Sequence, residues 1–170
     1  MIKIFSLFIL IVGVLSNKKK DEYKMCDPEV PKVSTGFTGT FQCSLLSRAD
    51  PIFTLQECFE DGSSCKNVAT GIYTSHDSII YTKSFDNPRN KAFNVTILMY
   101  HTCGTSRGLE CKLPIPKEKI YCEEFPGPLY DLGVIDLNNR TYHERPQCRT
   151  VDTSQFPAKT EQGRAIQSQN

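Results

Sequence analysis

The sequence predicts an all-β fold: an antiparallel β-sandwich of about seven to eight strands, stapled by disulfides. Three observations point to it. From Phe37 onward, short runs alternate apolar and polar residues with a period of two, the spacing of a strand with one buried face. Turn-forming clusters such as Asp61-Gly62-Ser63-Ser64 and Asp86-Asn87-Pro88-Arg89-Asn90 separate the runs. Eight cysteines (Cys26, Cys43, Cys58, Cys65, Cys103, Cys111, Cys122 and Cys148) form an even set without a C-x-x-C spacing. In an exported chain such a set reads as a disulfide framework rather than a metal site, each bridge contributing about 2–4 kcal/mol.

Export is read from the first residues. Lys3 precedes an apolar run from Ile4 to Leu15, and Ser16 precedes the polar Asn17. That is the charged start, apolar middle and small-residue exit of a secretory signal peptide, with cleavage expected after Ser16. The run is shorter than the roughly 20 apolar residues of a membrane span. Residues 1–16 are therefore expected to be a signal peptide and 17–32 a polar arm. The sandwich domain is expected over 33–148, followed by a disordered tail over 149–170, which is polar and lacks periodicity. Without Lys3 the chain carries 19 basic and 19 acidic side chains. Such a balance offers no general attraction to phosphate backbones, and a nucleic-acid partner is not expected.

The strands follow in order. Phe37, Phe41 and Leu45 are placed in the core by the alternation of the first run. Ile52–Phe59 follows, with Phe53, Leu55 and Phe59 on one side; Glu57 falls on that apolar side and suggests a bulge or an edge. The short turn between Cys58 and Cys65 makes a local bridge geometrically easy. Val68–Thr74 and Ser78–Phe85 are shorter β-rich runs. In the longest alternation, Phe93, Val95, Ile97 and Met99 oppose Asn94, Thr96, Leu98 and Tyr100. Asn94-Val95-Thr96 is a glycosylation sequon, which puts Asn94 toward solvent and leaves Leu98 and Tyr100 as an outer apolar patch. Cys111, Leu113 and Ile115 point inward along the next run, and Pro114 and Pro116 place it at a sheet edge. A charged, proline-rich loop spans Lys117–Leu129. Tyr130–Leu137 is the next strand, before a second sequon at Asn139-Arg140-Thr141.

The run Ile97–Cys103 (ILMYHTC), then Cys111–Pro116 (CKLPIP), Tyr130–Leu137 (YDLGVIDL) and a closing Cys148 resembles the nematode transthyretin-like family of secreted proteins. Gly39–Cys43 is similar to that family's first strand, Gly-x-x-x-Cys. The likeness runs from about Gly39 to Cys148. It departs from the family between Thr74 and Ile80, where a turn glycine is missing, and in the additional Cys26, Cys58, Cys65 and Cys122. The resemblance implies a transthyretin-like sandwich and extracellular residence, with no shared activity. The pairing expected beside it is Cys103–Cys111 and Cys58–Cys65 as local closures, leaving Cys43–Cys148 and Cys26–Cys122.

The residues do not point to catalysis. The hydrolases that share the fold implied by the resemblance need several histidines and a Tyr-Arg-Gly-Ser terminus, whereas this chain ends Gln-Ser-Gln-Asn. His76-Asp77 is a neighbour pair without a nucleophile elbow, and a triad acid must orient the imidazole across the fold. His101 beside Cys103 reads as a structural histidine, and Glu123-Glu124 as a solvated pair. No enzyme, cofactor or metal is expected. Loops on a rigid scaffold are where recognition sits. The expected function is an extracellular binding or signalling factor that contacts a protein or cell-surface partner through Tyr121, Phe125, Tyr130 and Arg107. Carriage of a small hydrophobic ligand and protease inhibition stand as alternatives.

Overall fold

A computed structural model describes residues 22–43, 51–74, 77–138 and 147–164. The alternating runs become ten strands: β1 (Lys32–Gln42), β2 (Ile52–Phe59), β3 (Lys66–Tyr73), β4 (Ser78–Asp86) and β5 (Phe93–His101), then β6 (Gly108–Ile115), β7 (Ile120–Tyr121), β8 (Tyr130–Asp136), β9 (Cys148–Val151) and β10 (Glu161–Gln162). One sheet has the order β10-β3-β2-β5-β6-β9. The other is β4-β1, with β7 and β8 lying end to end along the remaining edge of β1. The two sheets face each other across a core of aromatic rings. Phe53 of β2 meets Phe37 and Phe41 of β1 at 5.3 and 5.2 Å. Each such pair contributes about 0.5–1.5 kcal/mol beyond the area it buries. Val95, Ile97 and Met99 are fully buried, as their alternation predicts.

The fold is the expected disulfide-stapled all-β sandwich, with more strands than the alternation counts and with two parallel pairings, β1 with β8 and β3 with β10. Side-chain alternation reports which face is buried and carries no information on strand direction. β7 and β10, at two residues each, are too short to show a period. β2 lies between β3 and β5, so Glu57 marks no edge; the β2–β3 register shifts beside it, between Leu55 and Gln56. Glu57 is buried, and its Oε1 has no hydrogen-bond partner among the described residues. Burial raises its carboxyl pKa, against a smaller lowering by Lys66. β6 is paired to β9 only as far as Cys111, so Pro114 sits on its open half, where no donor is needed.

Two expected disulfides are corrected. The bridges are Cys26–Cys122, Cys43–Cys103, Cys58–Cys65 and Cys111–Cys148. Cys103–Cys111 does not form because the β5–β6 hairpin pairs Cys111 with Met99. Cys103 lies four residues farther along, about 13 Å in extended chain, beyond the reach of one bridge. Cys111 is instead the direct cross-strand partner of Cys148 in β9. Cys43, just past the end of β1, takes Cys103 just past the end of β5 and ties the two sheets together.

The tail expected to be disordered from residue 149 is built into the fold as far as Arg164. It starts in β9 at one edge of the six-stranded sheet and ends in β10 at the other. On the way Phe156 packs on Tyr100, and Thr160 bonds to the β3 backbone through its N–H to the Gly71 carbonyl and its hydroxyl to the Thr70 carbonyl. Glu161 accepts from the Tyr81 hydroxyl and from Lys83. Arg164 then exchanges backbone bonds with Ile80 of β4, so this segment joins the open edges of both sheets. Its polar composition hides these anchors. Gly71 has φ 66°, and a Cβ there would collide with the Ala158 carbonyl. That glycine is therefore required both by its backbone and by the chain crossing over it.

The arm is tied down from Lys24, which pairs with Phe93, to the buried Cys26. Buried Asn87 holds it there, donating from Nδ2 to the carbonyls of Asp27 and Val30. The expected signal peptide over residues 1–16, Leu45, His76, Asn139 and His143 lie outside the described residues.

Candidate functional site

The loop between β7 and β8 is built on one edge strand. Tyr121 pairs with Ser34 and Tyr130 with Phe37. The loop's two ends therefore stand three β1 residues apart, about 10 Å. Cys122 at its start is bridged to Cys26, which fixes the base a second time. Along this frame the four expected contact residues have different fates.

Tyr121 is half-buried and structurally committed. Its hydroxyl donates to the Pro128 carbonyl at 2.7 Å, the Lys119 ammonium donates to the same oxygen, and a Cβ on Gly127 would lie 2.7 Å from its ring. Leu129 lies over Gly36, so the loop folds back across the outward face of β1. Ser34, two residues before Gly36 on β1, is fully buried although it alternates with the buried Val33 and Thr35. Tyr130 is half-buried against the core. Phe125 is different: it is 77% exposed at the tip, beside the exposed Glu123 and Glu124.

Arg107 is exposed in the β5–β6 hairpin, four residues from Cys103, which is bonded to Cys43. Cys43 lies nine residues along from the Ser34 that anchors Tyr121, about 30 Å in extended strand. The structure thus brings Tyr121, Phe125 and Tyr130 into one loop and leaves Arg107 at the opposite end. There Arg107 lines a separate cleft of about 550 Å³ with Thr150, Asp152 and Thr153. Among the described residues, two further large apolar side chains are exposed: Met25, next to Cys26, and Val134, on the outward face of β8. Met25 was legible as an apolar residue in a charged arm. Val134 was not, because the β1–β8 register shifts between Thr38 and Thr40.

The outer patch predicted at Leu98 and Tyr100 is covered, Tyr100 by Phe156. Beside it, buried Glu110 accepts two bonds from Arg149, at 2.8 and 2.9 Å. Burial, then the Glu110 charge, pushes the Tyr100 hydroxyl pKa up to about 12. His101 is buried opposite Leu109. Among the described residues, no helix is long and apolar enough to cross a membrane, and no group of three or more His, Cys, Asp or Glu is placed to hold a metal ion. Comparison with family models, with curated proteins and with solved structures finds no match to this chain.

Proposed function

We propose that the protein is a secreted, non-catalytic member of the transthyretin-like class, acting as an extracellular binding factor through the tip of the Cys122–Leu129 loop. The observation that carries this reading is Phe125, a large aromatic side chain exposed at the end of a loop whose base is held by two strand pairings and a disulfide. A rigid aromatic anchor of this kind loses little conformational entropy on docking, which is why such residues dominate interfaces. The partner is a protein or another cell-surface component. Carriage of a ligand between the sheets draws no support from the interior, where Phe37, Phe41, Phe53 and Tyr81 stack at 5.2–5.9 Å.

The test is saturable binding of labelled, oxidised protein to intact cells of its source, with and without surface protease treatment. Loss on protease treatment identifies a protein receptor, and survival identifies a lipid or glycan. Phe125→Ala is expected to weaken binding at least tenfold. Unchanged affinity in a folded variant rejects the loop tip as the contact.

A further inference from the structure

The stretch of β5 at Asn94 opens on a cleft of about 450 Å³. Asn94 lies in β5 between the core residues Phe93 and Val95, opposite Cys58, on the outward face. The cleft is walled by Pro114, Pro116, Lys117, Glu118 and Tyr130. The side chain of Asn94 is half-buried, and its amide oxygen is buried with no hydrogen-bond partner among the described residues. Asn94 is itself one of the residues lining the cleft, so its side-chain amide, Nδ2 included, stands at the cleft. Asn94 begins the sequon Asn94-Val95-Thr96, so this nitrogen is the one an N-linked sugar takes.

The walls suit a sugar. Proline and tyrosine rings present apolar surface to the C–H faces of a pyranose, and Lys117 and Glu118 present polar groups to its hydroxyls. The volume lies within the roughly 300–1,000 Å³ of sites that enclose small ligands. We propose that Asn94 is a used N-glycosylation site whose innermost sugars are seated in this cleft, closing the surface between β5, the β6–β7 crossover and Tyr130. The attachment is a displacement: Nδ2 bonds to C1 of the first sugar of a lipid-linked oligosaccharide. The lipid diphosphate leaves, one proton is released, and no redox change occurs.

The inference rests on the proposed secretion and not on the partner surface. The full chain is expressed in a eukaryotic secretory host, occupancy is mapped by peptide mass, and deuterium uptake is measured over residues 113–121. Thr96→Ala removes the sequon and keeps Asn94, while Thr96→Ser retains the sequon. Sugar at Asn94, with uptake at least threefold slower in wild type and Thr96→Ser than in Thr96→Ala, is the expected result. If Thr96→Ala does not fold, the rate of enzymatic sugar release from Asn94 decides, with release expected at least tenfold slower from native than from denatured wild type. An unoccupied Asn94 beside an occupied Asn139 overturns this inference alone, as does equal uptake, or equal release in the fallback test. A retained chain with both sites bare overturns the secretion reading with it.

Discussion

The ring of Phe156 lies over the ring of Tyr100, their centroids 5.6 Å apart, and this contact turns an apolar patch on the outer face of the sheet into buried surface. It requires Gly108 beneath, since a Cβ there would come within 2.5 Å of the Phe156 ring. Phe156→Ala is expected to open the patch and to bring the Tyr100 hydroxyl from about 12 back toward the usual value near 10. Ultraviolet titration of the phenolates reads this directly. A raised tyrosine pKa stabilises the folded state below the unfolded value and is lost as pH rises through the folded one. Wild type should therefore lose stability between about pH 10 and 12.

Gly71→Ala tests the crossing segment. The substitution sets a Cβ against the Ala158 carbonyl and forces a left-handed backbone that alone costs about 1–3 kcal/mol. Deuterium uptake is expected to rise first over residues 156–164. Uptake rising uniformly across both sheets would show that this segment unfolds only with the whole domain.

Glu57 lowers stability at neutral pH. Its carboxyl pKa is raised in the folded state by burial, so above the unfolded value near 4.3 the native chain holds the extra proton and stability falls as pH rises. Glu57→Leu is expected to raise the melting temperature at pH 7, with the gain shrinking toward pH 4. A gain independent of pH would assign the effect to packing alone.

Tyr121 and Phe125 should separate in the laboratory although they share a loop. Phe125→Ala removes an exposed ring and is expected to change stability by less than about 0.5 kcal/mol. Tyr121→Ala removes the hydroxyl bound to Pro128 and the ring packed on Gly127, at a cost of about 1–3 kcal/mol. Urea denaturation of the two variants gives the comparison.

Non-reducing peptide maps should recover Cys43 linked to Cys103 and Cys111 linked to Cys148. On chain entropy, removing the Cys43–Cys103 bridge, with its separation of 60 residues, should cost about 4 kcal/mol. For Cys58–Cys65, with a separation of 7, the cost is about 2.5 kcal/mol. Equal losses would mean that native contacts, and not loop closure, set the effect.

The local part of the fold was legible in advance. Phe37, Phe41, Phe53, Val95, Ile97 and Met99 face the core because strand side chains alternate, a property of two neighbouring residues that needs no knowledge of the partner strand. The Cys58–Cys65 closure was legible for the same reason, a short turn with a separation of 7 being its own template. The candidate site was legible only as a loop containing aromatics. Tyr121 and Phe125 look alike in sequence, and they differ because Gly127 and Pro128 receive one and leave the other outside.

The sequence by itself determined the all-β class, the positions of most strands and which of their faces is apolar. Tertiary structure alone decided that β8 and β10 join in parallel, that Cys103 reaches Cys43, that the polar segment after β9 closes over Tyr100, and that Arg107 stands apart from the aromatic loop. The physical reason is range. Alternation and turns are set by energies within a few residues, whereas each of these outcomes depends on which distant strand ends meet in space, and two-residue strands carry too little pattern to announce it.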